Sequence, residues 1–241
     1  MSSPLNVLFV PGVPTEPDDL TSLFDALPSG AIGHIVRPPG YGAPADGPGD
    51  FDARAAALRE ALDQLPYDGR WIVGYSAGGY DALRALDEGA HVDGIVLLNA
   101  AVGPADDEER AQFLAVADIV QAGGISNEML AAGMLTPEGL RNRDVVERTG
   151  RWMQSASADH VASELRSYAR QPSLEHVVAA HARRIVFVHA EHDQSVPFER
   201  ARALAERTGA AFVAIPGLGH AACMENASAT CSALRQAWAC L

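Results

Sequence analysis

The stretch Trp71-Ile72-Val73-Gly74-Tyr75-Ser76-Ala77-Gly78-Gly79-Tyr80-Asp81-Ala82-Leu83-Arg84-Ala85-Leu86 decides how this chain is read. Its first residues form a β-rich apolar run, and Tyr80 to Leu86 follow in helical register. Between them, Gly74-Tyr75-Ser76-Ala77-Gly78 fits G-x-S-x-G, in which a serine sits on a sharp strand-to-helix turn. Small residues two before and two after the serine let neighbouring backbone come close. The hydroxyl then projects at the head of a helix, whose dipole favours developing negative charge. The pattern alone also suits a glycine-lined turn carrying an incidental serine. The flanking strand and helix make the nucleophile reading the stronger one.

Outward from this stretch, strand and helix patterns alternate. Leu5–Val10, Ala31–Val36, Trp71–Tyr75 and Gly94–Asn99 read as strands, and Asp18–Leu27, Phe51–Leu65 and Ala77–Leu86 as helices. The first of those helices rests on Leu20, Leu23, Phe24 and Leu27. Pro38 to Gly49 is rich in Pro and Gly and reads as a loop. From about Gly103 to Ala182 only helical patterns occur, broken at Gly123-Gly124, Pro137 and Pro172. Alternation returns with strands at Arg184–His189 and Ala211–Ile215 and helices at Phe198–Arg207 and Asn226–Ala239. The expected architecture is α/β: a mostly parallel central sheet flanked by helices, with a helical insertion. The expected division is a core of 1–103 and 182–241 and a cap of 104–181. Ligands bind at the carboxyl ends of parallel strands, so the insertion would lie over the site.

A serine hydroxyl needs a base to take its proton. His220 follows the strand ending at Ile215, in Pro216-Gly217-Leu218-Gly219-His220, and is the expected base. Asp193 follows the preceding strand, in His189-Ala190-Glu191-His192-Asp193-Gln194-Ser195-Val196-Pro197, and is the expected acid. A carboxylate there fixes the imidazole tautomer and stabilises the imidazolium. The earlier strand ends in Asn99, which carries no charge, so Asp193 keeps that role. His189, His192 and Asp193 collect metal-ligand types, but at strand spacing the two histidines point to opposite faces, and no closing ligand set appears. His176 and His181 read as helix-surface residues. The oxyanion of an acyl transfer needs N–H donors. Ala77, after the nucleophile, is one; Val13, in Pro11-Gly12-Val13-Pro14, is the other, with Gly12 in reserve because proline cannot donate.

Composition removes other chemistries. The 241 residues carry a net charge of −13, which repels phosphate backbones, so nucleic acid is an unexpected partner. All 18 basic residues are arginine, which excludes a Schiff-base lysine, a pyridoxal phosphate anchor and a phosphate-loop lysine; no cofactor or metal is expected. Cys223, Cys231 and Cys240 have no framework spacing and read as free thiols of a reducing cytoplasm. The start lacks a basic n-region, and no stretch reaches the roughly 20 apolar residues that span a bilayer, so neither a signal peptide nor a membrane is expected.

Together these residues resemble the α/β-hydrolase superfamily, particularly its small lidded esterases and enol-lactonases. Val10-Pro11-Gly12 resembles the family's strand-end His-Gly turn, with proline in place of histidine. Arg37-Pro38-Pro39-Gly40-Tyr41-Gly42 is similar to its Asp-x-x-Gly-x-Gly loop, and Asp193 to Pro197 to its Asp-x-x-x-Pro acid loop. Met134-Leu135-Thr136-Pro137-Glu138 followed by Trp152 is similar to the lactonase-like cap. The resemblance implies a serine hydrolase acting on a small carboxylic ester or lactone. A thioesterase, a carbon–carbon bond hydrolase, a cofactor-free lyase and a hydrolase-fold binding protein without turnover remain alternatives; an aspartate-nucleophile dehalogenase does not, given Ser76. Tyr75, Trp152 and Met134 are candidate pocket residues, with Met129 and Met153 beside them, or else they pack the cap onto the core. Arg141, Arg143 and Arg151 either bind a substrate carboxylate or are solvated. Oligomeric state is left open.

Overall fold

A computed structural model describes residues 5–41, 49–67, 69–103 and 106–241. The centre of the Pro38–Gly49 loop, including Gly42, the first four residues and the first two residues of the expected cap lie outside the described residues.

Six strands form one parallel sheet: β1 (Asn6–Val10), β2 (Ile32–Ile35), β3 (Arg70–Tyr75), β4 (Gly94–Leu98), β5 (Ile185–Ala190) and β6 (Ala211–Ile215), in the order β2-β1-β3-β4-β5-β6. The α/β expectation is met, and each predicted strand is present within a residue or so at its ends. The strands are apolar throughout because both faces are covered. Successive side chains divide between the faces. Leu8, Val10, Ile72, Leu97 and Phe187 belong to one core cluster, while Val7, Phe9, Val73, Leu98 and Val188 belong to the other.

The first cluster is closed by α1 (Phe51–Asp63), α2 (Ala77–Asp87), α7 (Glu175–His181) and α8 (Phe198–Thr208). The second is closed by α10 (Ala227–Trp238), the short α9 (Ala222–Glu225), and a 3₁₀ helix over Pro17–Ala26. The helix expected over 18–27 is of the 3₁₀ type. Its buried residues are Pro17, Leu20, Leu23 and Ala26, three apart, the spacing that stacks side chains on one stripe of a 3₁₀ helix. Phe24 turns the other way, onto Phe9 (centroids 5.1 Å apart) and across Gly33.

Between β4 and β5 the described residues are helical: α3 (Asp107–Gln121), α4 (Asn127–Met134), α5 (Arg143–Gly150) and α6 (Ala158–Ala169), then α7. Side-chain caps start four of them: Asp106 accepts from Glu109 N, Ser126 from Met129 N, Asn142 from Val145 N and Ser157 from His160 N. The segment splits into two pairs. α3 packs on α6 through Ala117, Val120, Val161 and Ala162, with Val13 beneath. α4 packs on α5, and its Ala131 joins Leu135, Val145 and Trp152 in the second core cluster. Among the described residues no helix is long and apolar enough to cross a membrane.

Candidate active site

The sheet reverses its order of connection at β1 and β3, because β2 lies outside β1 and every later strand lies on the far side. Such a switch point opens a crevice at the carboxyl ends of the two strands. Val10 pairs with Gly74 there, so the turn after β1 and the turn after β3 face one another.

At the end of β3, Ser76 has φ 53° and ψ −121°, a conformation costly for any residue but glycine. The close packing that holds it explains the flanking glycines. A Cβ on Gly78 would stand 2.1 Å from the Val10 carbonyl oxygen, and one on Gly74 would stand 2.5 Å from Gly79 Cα. Ser76 N donates to Leu98 O (3.0 Å), so the turn continues the β3–β4 ladder. The serine side chain stays partly exposed at the N-terminus of α2.

His220 and Asp193 converge on it. His220 Nε2 lies 3.0 Å from Ser76 Oγ, and His220 Nδ1 lies 2.8 Å from Asp193 Oδ2. Asp193 Oδ1 accepts from the N–H groups of Ser195 (2.9 Å) and Val196 (2.8 Å). The three expected residues thus share one hydrogen-bonded chain, in the order a base needs to accept a serine proton.

Several residues that build this chain were not singled out as site residues from the sequence. Asn99, at the end of β4 with φ 47°, is buried and tethers both loops. Its Nδ2 donates to His220 O (2.7 Å) and Gly219 O (3.3 Å), and its Oδ1 accepts from Ala190 N (2.8 Å). Glu225 is the second tether. Its Oε1 accepts from Gly219 N (3.0 Å) and Thr136 N (3.1 Å), and its Oε2 from the Thr136 hydroxyl. Ala221 N completes the seam by donating to Met134 O (2.9 Å). The Met134–Glu138 segment therefore holds the base loop.

His189 is buried behind the acid. Its Nε2–H donates to Val196 O (2.8 Å) and lies 3.4 Å from Asp193 Oδ2. Burial lowers its pKa, against the opposing pull of Asp193, which keeps the ring neutral. His192 is exposed, so the two histidines weighed as ligands part company; among the described residues no group of three metal-ligating side chains forms.

A small cavity opens beside Ser76, with Ala77 and Val13 in its wall. Gly12 presses against Ser76: a Cβ there would stand 2.7 Å from Ser76 Cβ. Arg54, buried in α1, fixes the turn by donating Nη2 to Pro11 O (2.5 Å), Nε to Asp81 (2.9 Å) and Nη1 to Glu164 (3.1 Å). The Tyr41 hydroxyl also donates to Glu164. Burial pushes the Asp81 carboxyl up to about 6, against the pull of Arg54. No spacing rule would bring Tyr41, Arg54, Asp81 and Glu164 together; only the fold does.

The candidate pocket residues Tyr75, Trp152 and Met134 do not line this cavity. Tyr75 is buried beside His220, with its hydroxyl donating to His220 O (3.1 Å). Trp152 is fully buried in the second core cluster and donates Nε1–H to Asp19 Oδ2 (2.7 Å). Met134 packs on the same cluster. Met129 is exposed; Arg141 pairs with Glu138 and Arg151 with Glu147 at the surface, and Arg143 is exposed.

The family model described as "Alpha/beta hydrolase family" matches residues 7–233. The chain belongs to the α/β-hydrolase family. Comparison with curated proteins finds no match. Among solved structures, a thermophilic esterase from Thermogutta terrifontis, solved with malate bound, superimposes with a TM-score of 0.84 at 24% identity, over 98% of this chain and 89% of that one. An esterase from Exiguobacterium antarcticum superimposes at 0.79 and 20% identity, over 98% and 92%. The enol-lactonase from Burkholderia xenovorans LB400 superimposes at 0.79 and 16% identity, over 99% and 92%. At these identities the likeness is one of fold.

Proposed function

We propose that this α/β-hydrolase is a serine hydrolase that cleaves a small carboxylic ester or lactone through an acyl-enzyme. The observation that carries the reading is the unbroken chain Ser76 Oγ–His220–Asp193, with links of 3.0 and 2.8 Å, ending on a strained and partly exposed serine. Ser76 Oγ attacks the carbonyl carbon while His220 Nε2 takes its proton. Asp193 holds Nδ1–H and stabilises the imidazolium. The N–H groups of Val13 and Ala77 receive the oxyanion. The tetrahedral adduct collapses, and the leaving alkoxide takes the proton from His220. Water then attacks the acyl-enzyme with the same base, releasing the acid and restoring Ser76.

The helices of 104–181 act as a cap on the core of 1–103 and 182–241, since α3 and α6 contribute Glu109, Phe113, Glu164, Leu165 and Tyr168 to the cavity wall. Closing such a site limits water around the reacting carbonyl. The free thiols of Cys223, Cys231 and Cys240 support a reducing, cytoplasmic setting.

The test is hydrolysis of short p-nitrophenyl esters by the wild type and by Ser76→Ala, with fluorophosphonate labelling of both. Turnover and labelling by the wild type, with a loss of at least about a thousandfold in the variant, is the expected result. Equal rates in both proteins would remove Ser76 from the reaction.

A further inference from the structure

The wall of the cavity beside Ser76 is aromatic on one side. Phe51 and Phe113 both pack on Tyr168, with ring centroids 5.2 and 4.9 Å apart. Its charged members are of one sign. Glu109 and Glu164 line it, and among the described residues no cationic side chain does. The arginines that pair with these two carboxylates are turned to other work. Arg200 gives Nη1 to Glu109 (2.6 Å) and Nη2 to Gly103 O (2.7 Å). Arg54 divides its guanidinium between Glu164, Asp81 and Pro11 O. Glu109 with Arg200 is formally neutral. Arg54 faces two carboxylates, so these three side chains sum to one formal negative charge, with the His160 ring 3.9 Å from Glu164 beside them and Glu164 as the cavity face.

We infer that the cavity selects by charge: it accepts the neutral or cationic group of an ester and turns away a group bearing a carboxylate. The inference rests on the reading of Ser76 as nucleophile. A substrate carboxylate seated here would lose its water, meet no donor cation, and stand against a wall of its own sign. An apolar or aromatic acyl group loses nothing on entry and gains contact with the three rings. An ammonium group gains the field of Glu164. The sign is a property of the pairing and not of composition, since the chain's 18 arginines supply ample cations elsewhere.

The experiment compares p-nitrophenyl esters of 4-methylbenzoate, 4-carboxybenzoate and 4-(aminomethyl)benzoate at pH 8, with Ser76→Ala as the background. The three differ at one para position, too far from the carbonyl for intramolecular attack. The expected kcat/KM for the carboxy ester is at least about a hundredfold below that of the methyl ester, with the aminomethyl ester equal or better. Glu109→Gln removes one wall carboxylate and leaves Arg200 Nη1 without its carboxylate partner. The carboxy-to-methyl ratio should then rise by about tenfold or more. Ser76-dependent cleavage of the carboxy ester within about threefold of the methyl ester overturns charge selection and leaves the hydrolase reading standing. If none of the esters is cleaved and the wild type also resists fluorophosphonate, the nucleophile reading fails and takes the inference with it.

Discussion

Replacing Asn99 with alanine should loosen the acid and base loops together, and the structure gives the size of the effect. Asn99 is fully buried, with φ 47°, and its side chain makes three hydrogen bonds. Asn99→Ala leaves the Ala190 N–H without its acceptor, at about 1–3 kcal/mol for a buried orphan. His220 O keeps the Tyr75 hydroxyl, whereas Gly219 O loses Asn99 as a donor. Holding alanine in the left-handed region costs roughly 1–2 kcal/mol, less whatever asparagine already pays. Together these come to about 2–5 kcal/mol at most, a sizeable share of the 5–15 kcal/mol typical of a folded domain. Urea unfolding at pH 7 checks this through the midpoint at constant slope. Against p-nitrophenyl esters, kcat should fall more than KM changes, because the loop carrying His220 loses its anchor while the cavity wall is untouched. A variant within about 1 kcal/mol of the wild type, with unaltered kcat, would refute the assignment of Asn99 as the tether.

Other changes test other parts of the site. Gly78→Ala drives a Cβ to 2.1 Å from a backbone oxygen that cannot swing aside, so it should cost more than about 3 kcal/mol or abolish soluble expression, read by urea midpoint or yield. Asp193→Asn keeps the shape but loses the tautomer, so kcat should fall by about 10⁴ with little change in KM, measured on the same esters. Asp81 has a folded pKa raised from 3.8 to about 6, so the stability it contributes is full below 3.8 and is lost as pH rises through about 6. The wild-type urea midpoint should therefore fall relative to that of Asp81→Asn between pH 4 and pH 7, and a constant difference would contradict it. His189 has a lowered folded pKa, so its contribution is present above 6.5 and lost as pH falls below it; His189→Gln should flatten the acid limb of the stability curve.

The parts of this molecule legible in the sequence are those that depend on local pattern. The elbow is local because its requirement is local: Gly74 and Gly78 must be small where the turn presses on Gly79 and Val10. The strands are legible because both faces of the sheet are buried, so their apolar runs are continuous. His220 and Asp193 could be chosen because each follows a recognisable strand. Asn99 was read only as a missing acid, since nothing in its neighbourhood says that a positive φ will aim its amide at a loop 120 residues away. Which side chains line the cavity is not legible for a related reason. Trp152 and Met134 look available as isolated apolar residues in a helical segment, but α4 and α5 dock on the second core cluster, while α3 and α6 meet the cavity. Helical periodicity reports that a face is buried, not what it is buried against.

The precision of the Ser76–His220–Asp193 chain depends on the register of β5 and β6. Ala190 pairs with Ile215 at the last rung, the acid follows three residues after one and the base five residues after the other. A slip of one residue would move one loop about 3.3 Å along the sheet and exchange its inward and outward faces. A 2.8 Å bond between Asp193 and His220 cannot survive that displacement. The register is held where the two strands end: Asn99 takes Ala190 N on one side and gives to His220 O on the other, and Glu191 N donates to Ile215 O (3.1 Å). A buried polar residue just past β4 thus ties β5 to the loop carrying His220, so the pairing that stabilises the sheet and the alignment of the proposed Ser76–His220–Asp193 triad are one set of bonds. Substitutions at Asn99 should accordingly show coupled losses of stability and kcat, whereas Ser76→Ala, which breaks no part of that set, should lose activity while keeping its urea midpoint.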